Sequence, residues 1–198
     1  MAYHAIYIPG LGDKRPYGQN IAIQLWRFFG ITPHYFPLGW NKPEGYSTKQ
    51  NRLIQKIETL SKNGDVVSLV GVSAGASAAL NAYAQSNKIS KTILISGKIN
   101  NADTISPKFF LENPDFKQSM QLVKVSLQKL PLNKVSNIMS THPWRDQTVP
   151  ILDTIVDGAK EKTLPGWSHA TGIFFGAIFG AASISRFIRA TPNTTNVR

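Results

Sequence analysis

The sequence predicts an α/β protein, a mostly parallel sheet of about six strands flanked by helices, with a small helical insertion. Three observations carry this. Short apolar or alternating runs, the marks of strands, are interleaved with longer stretches whose apolar residues recur at helical spacing. The run Val66-Val67-Ser68-Leu69-Val70 is almost wholly apolar, as suits a parallel strand covered on both faces. It leads into Gly71-Val72-Ser73-Ala74-Gly75 and then into a stretch of small residues: a strand, a sharp turn and a helix.

The elements follow in order. Tyr3 to Ile8 alternates aromatic and aliphatic residues and reads as a strand ending in the turn-rich loop Pro9 to Asp13. A helix is expected from Tyr17 to Phe29, with Ile21, Leu25 and Phe28 or Phe29 as its apolar face and Gly30 as its stop. Thr32 to Pro37 is a short strand containing a proline. Ser47 to Ser61 is a helix with Leu53, Ile54, Ile57 and Leu60 on its apolar face, closed by Lys62-Asn63-Gly64. The apolar strand and the glycine-flanked serine come next, then a helix from Ala74 to Ser86 and a strand from Lys91 to Ser96.

Residues 97–130 are richer in proline, asparagine and charge around a helix from Pro114 to Leu130; an insertion of that length is often a lid. Its Phe109, Phe110, Leu111, Met120, Leu122 and Val123 either close over a pocket as a cap or pack a satellite helix on the sheet. Val135 to Ser140 and Lys160 to Leu164 are the last strands, with a short helix from Val149 to Val156 between them. A final helix runs from Thr171 to Arg189. Its Gly172, Gly176 and Gly180 lie four apart, a spacing that suits close packing on the sheet. Residues 1–190 form one domain in this reading, and 191–198 a polar tail.

Composition narrows the function classes. The 198 residues suffice for one domain with a real core, and 42% hydrophobic and 17% charged content are those of an ordinary globule. The absence of cysteine excludes disulfides, thiolate metal sites and a cysteine nucleophile. Met1 to Ile8 lacks the charged start and long apolar stretch of a signal peptide. No stretch offers about 20 uninterrupted apolar residues. The expectation is a cytoplasmic protein without an integral membrane segment. The net charge of +11 attracts polyanions, but Lys14, Arg15, Lys42, Lys49, Arg52, Lys56 and Lys62 are scattered singly. With no nucleic-acid-binding motif, the reading is a solvated basic surface and no nucleic-acid partner.

In open parallel sheets, ligands gather at the carboxyl ends of strands. The loop Pro9 to Asp13, Trp40, Ser73, Asp146 and His169 all follow predicted strands and are expected at one edge. A serine hydroxyl needs a base to take its proton, and the base needs a group to orient it. His4 and His34 fall within strands, whereas His142 and His169 fall in loops at the proposed edge. His169 comes after the last strand, and Asp146 lies between serine and histidine, the chain order this architecture uses. His142 reads as loop structure beside Asp146. Asp153 falls in, and Asp157 directly follows, the predicted helix over 149–156, and both are expected to be solvated. Asp13 either caps the next helix or braces its own loop.

With Gly71 to Gly75 as nucleophile elbow, Asp146-Gln147-Thr148-Val149-Pro150 as acid loop, late His169, and Ile8-Pro9-Gly10-Leu11-Gly12 as oxyanion loop, the sequence resembles the α/β-hydrolase superfamily, in particular its compact esterase-like members. The resemblance spans nearly the whole chain; Pro9 departs from the histidine many members carry there. It implies that Ser73 attacks an acyl carbonyl, that His169 transfers the proton and that Asp146 holds the imidazole. It also implies that the backbone N–H groups of Leu11 and Ala74 meet the oxyanion. Trp40, Trp144 and Trp167 either line an acyl pocket or anchor loops.

The expected activity is cleavage of a small-molecule carboxylic ester or thioester through an acyl-enzyme, with no metal or organic cofactor implied. An acyltransferase would use the same triad, and a non-catalytic binding protein could keep the fold. Peripheral contact with membrane is a further alternative, drawing on the positive charge and the final helix.

Overall fold

The computed structural model describes residues 1–16 and 18–190. The expected tail over 191–198 and the expected helix start at Tyr17 lie outside the described residues. Six parallel strands form one sheet in the order β2-β1-β3-β4-β5-β6. They are β1 (Tyr3–Ile8), β2 (Thr32–Tyr35), β3 (Val66–Val72), β4 (Ile89–Ile95), β5 (Ile138–Pro143) and β6 (Lys160–Leu164). β2 is an edge strand, where Pro33 leaves no central ladder bond unmade. β5 begins later than the sequence suggests, because Val135 belongs to the short helix α6 (Leu132–Val135).

Helices cover both faces. On one lie α2 (Tyr46–Ser61), α3 (Ala74–Gln85) and α5 (Pro114–Lys129), whose Leu53, Ile57, Leu80, Phe116, Met120 and Val123 share a core with Ile6, Leu69 and Leu94. Met120 and Val123 are thus core residues. The part of the insertion nearer the sheet edge is α4 (Pro107–Glu112), begun by the Ser106 side chain, which accepts the Phe109 N–H.

The opposite face carries α1 (Gln19–Ala22), a 3-10 helix Ile23–Phe29, α7 (His169–Ile178) and α8 (Ala181–Arg189). Two expectations fail here. The first helix winds mainly as 3-10 and turns Ala22, Ile23 and Trp26 inward, leaving Ile21, Leu25, Phe28 and Phe29 exposed. The expected continuous last helix is two helices, bent by 61°. Gly172 and Gly176 do give the close approach their spacing suggests: a Cβ on Gly172 would stand 2.7 Å from Pro143, and one on Gly176 2.9 Å from Leu164.

Three lysines depart from the expected solvated surface. Lys49 is fully buried, donating to the Trp40 and Lys42 carbonyls and pairing with Asp115. All three protons of its ammonium are used, the condition under which a buried charge is tolerated. Lys91 is buried against Asn137 and the Phe187 ring, and burial first, then the nearby Lys160, lowers its pKa. Lys98 pairs with Asp153, which is buried rather than solvated because the Lys98 ammonium and the Asn101 amide close over its carboxylate; the expected helix over 149–156 is only the short 3-10 turn Ile151–Thr154.

Candidate active site

Ser73 stands between β3 and α3 in a backbone conformation few non-glycine residues adopt, φ 51° and ψ −123°. Strain of this kind persists only where the surroundings enforce it. Here the enforcement is close packing: a Cβ on Gly75 would stand 2.1 Å from the Ile8 carbonyl oxygen, and one on Gly71 2.5 Å from the Gly75 carbonyl oxygen. The two glycines let α3 lie directly against the ends of β1 and β3, with the serine hydroxyl at the apex.

Three predicted residues come together in one hydrogen-bonded row. His169 Nε2 lies 3.0 Å from Ser73 Oγ, and His169 Nδ1 lies 2.7 Å from Asp146 Oδ2. The histidine is set by its helix start, where Ser168 and Thr171 form a capping box at the N-terminus of α7. Asp146 Oδ1 accepts the N–H groups of Thr148 and Val149, each at 2.9 Å. Its side chain is fully covered. Burial alone would raise its pKa. The hydrogen bond from His169, the Val149 N–H, the charge of His169 and the Thr148 N–H outweigh that and hold the carboxyl below its ordinary range.

Leu11 and Ala74 border the same cavity as Ser73. Ala74 is the first residue of α3, so its N–H has no acceptor within the helix. The loop carrying Leu11 is braced by Asp13, whose Oδ2 accepts the N–H groups of Gly39 at 2.5 Å and Trp40 at 3.3 Å. Asp13 therefore ties loops together rather than capping α1.

The cavity beside Ser73 has a volume of about 490 Å³. Phe109, Phe116, Ile105 and Val149 supply its apolar wall, and Lys98, Thr104 and Ser106 its polar one. The Lys98 ammonium donates to Asp153 at 2.5 Å and to Thr104 Oγ1 at 2.8 Å. Sequence reasoning missed Lys98, although its position just after β4, at the carboxyl edge, was a usable signal.

None of the three tryptophans lines this cavity. Trp40 is buried, stacks on Tyr46 and donates from Nε1 to the Pro9 carbonyl at 3.2 Å. Trp144 and Trp167 meet edge to face with ring centroids 5.1 Å apart and remain exposed. His142 closes the end of β5 and lies against Glu161 and its neighbour's carbonyl. Among the described residues, no group of three or more His, Cys, Asp or Glu side chains is placed to hold a metal ion.

No protein-family model matches the sequence, and no curated protein matches it. Solved structures do share its shape. A structure of the metagenome-derived lipolytic enzymes LipS and LipT superposes with a TM-score of 0.67 at 14% identity, over 95% of this chain and 94% of that one. A fungal esterase from Rhizomucor miehei gives 0.66 at 13% identity, over 96% and 73%. The monoacylglycerol lipase of Paleococcus ferrophilus gives 0.63 at 12% identity, over 93% of each chain. Identities this low speak to the fold. Together with the six-stranded parallel sheet and the serine at the β3–α3 turn, they show that the chain has the α/β-hydrolase fold.

Proposed function

We propose that this protein is a serine hydrolase that cleaves a small-molecule carboxylic ester or thioester through an acyl-enzyme. The observation that carries the reading is the row Ser73–His169–Asp146 at the edge of a cavity, with distances of 3.0 and 2.7 Å. The lipolytic and esterase activities named for the structural neighbours agree with it. Ionised Asp146 holds the proton on His169 Nδ1, which leaves Nε2 free to accept the Ser73 proton. Ser73 Oγ then attacks the acyl carbonyl, and the Leu11 and Ala74 N–H groups receive the oxyanion. Collapse breaks the bond to the alkoxide or thiolate, which leaves with the proton from Nε2. A water molecule, deprotonated by the same nitrogen, resolves the acyl-enzyme and restores Ser73. Phe109, Ile105 and Thr104 act as the inner face of a small cap formed by the insertion over 97–130.

A serine-directed fluorophosphonate tests this. Wild type is expected to label once, and Ser73→Ala to remain unlabelled. Equal labelling of the two proteins overturns the assignment. Ester and thioester panels of graded acyl length then measure what a cavity of about 490 Å³ admits.

A further inference from the structure

Two stretches of the sequence contain no aspartate or glutamate: residues 14–43, between Asp13 and Glu44, and residues 162–198, after Glu161. The first supplies α1 and its 3-10 continuation, the second α7 and α8, and these helices cover the same face of the sheet. They are joined directly, since Trp26 Nε1 donates to the Ala177 carbonyl at 2.7 Å. One side of the molecule is therefore built from helices without a single carboxylate.

The outer surface of this layer carries a group of large apolar side chains. Ile21 is 73% exposed, Phe28 86% and Phe179 67%, with Leu25 and Phe174 also open to solvent. Phe174 and Phe175 in α7 and Phe179 just past its end follow one another, with successive ring centroids 6.1 and 5.4 Å apart. Apolar surface grouped in this way marks an interaction site. Exposed arginines accompany it: Arg27 beside Phe28, and Arg186 and Arg189, which share a shallow groove with Phe28 and Phe29.

Exposed aromatics flanked by arginines, with no acid to repel a negative surface, match a lipid interface rather than water. α7 opens with His169, two residues after exposed Trp167, and His169 Nε2 meets Ser73 Oγ, so the face runs up to the cavity mouth. A face of this kind would lie along a membrane rather than through it. No single helix among the described residues is long and apolar enough to cross, and α8, bent 61° from α7, buries Ile184, Phe187 and Ile188. We propose that the outer face of α1, its 3-10 continuation and α7, together with the adjoining Arg186 and Arg189 of α8, docks on an anionic lipid bilayer, setting the mouth of the Ser73 cavity beside the lipid.

Co-sedimentation with vesicles tests this independently of catalysis, using full-length protein and Ser73→Ala alike. Binding to mixed phosphatidylcholine–phosphatidylglycerol vesicles is expected at low salt, with little binding to phosphatidylcholine alone. It should weaken as salt rises to about 1 M, where the screening length falls to about 3 Å. Phe28→Ser with Phe179→Ser is expected to lower binding by about tenfold or more, and Arg27→Gln with Arg186→Gln by about thirtyfold. The phenylalanine and arginine variants, made in the otherwise wild-type chain, should keep wild-type hydrolysis of a soluble ester and the wild-type circular dichroism spectrum, which shows that they fold. Absence of vesicle binding overturns the proposal. So does binding that the phenylalanine substitutions leave unchanged, which marks a charge attraction common to any polyanion. A stable dimer that those same substitutions dissociate also overturns it, since a second copy would then occupy the face.

Discussion

At the scale of single residues, the two oxygens of Asp146 divide their work. Oδ2 meets His169 Nδ1, while Oδ1 is held by the N–H groups of Thr148 and Val149. Replacing Asp146 with asparagine would turn either an amide donor toward His169, forcing its proton to Nε2, or an amide donor toward two backbone N–H groups. Asp146→Asn is therefore expected to lower kcat by about 10⁴ while leaving the fold intact. Steady-state ester hydrolysis beside circular dichroism would check both parts; a drop of less than about tenfold would remove Asp146 from the relay. Ser73, Asp146 and His169 were legible because each stands where a strand ends, and the sheet gathers those ends at one edge. The tryptophans were not. A loop aromatic faces a cavity or a core according to what lies across from it, and Trp40 finds the Pro9 carbonyl and Tyr46 through folding alone.

At the scale of elements, the segment from Gln19 to Phe29 shows where periodicity misleads. Ile21, Leu25 and Phe28 form an α-helical stripe in the sequence, and so do Ala22, Ile23 and Trp26 on the other side. Both stripes are apolar, and the sheet takes the one that carries tryptophan, whose indole N–H reaches Ala177. The 3-10 winding of Ile23–Phe29 brings residues three apart into line, which sets Ile23 directly above Trp26. Trp26→Ala is expected to cost about 3–5 kcal/mol in urea unfolding, and Leu25→Ser less than about 0.5 kcal/mol. Equal losses would mean that the helix packs by its other face. The bend between α7 and α8 was likewise hidden, because nothing in an apolar run rich in glycine marks where it will turn.

At the scale of the whole molecule, the parallel architecture was readable because strand and helix patterns alternate along the chain, which leaves few ways to pair the strands. The buried charges were not readable, since a lysine's burial depends on acceptors distant in sequence, such as Asp115 for Lys49. The far end of the sheet carries its own titration. His34 Nε2 lies 3.1 Å from His4 Nδ1, and His4 Nε2 lies 3.4 Å from Asp65. Burial first, then the charges of Lys56, His4 and Arg27, lower the His34 pKa to about 4. An unfolded histidine takes up its proton near pH 6.5, so between about 6.5 and about 4 the unfolded chain binds a proton that folded His34 refuses. This contribution to stability is complete above about pH 6.5 and is lost as pH falls toward 4. His34→Gln is expected to flatten the fall of the urea midpoint across that interval. An unchanged slope would show that His34 does not set it.

The brace on the Leu11 loop reaches further than the cavity. Asp13 holds the backbone of Gly39 and Trp40, Lys49 holds the Trp40 carbonyl, and Asp115 at the start of α5 holds Lys49. Four links thus run from the helical insertion to the loop beside Ser73 without passing through the space a substrate would fill. If the proposed hydrolase activity holds, selection for a new ester preference would accordingly return changes in α2 and at the head of α5 alongside changes in the cavity wall. In such a lineage the substrate range would drift by resetting the clasp behind the site.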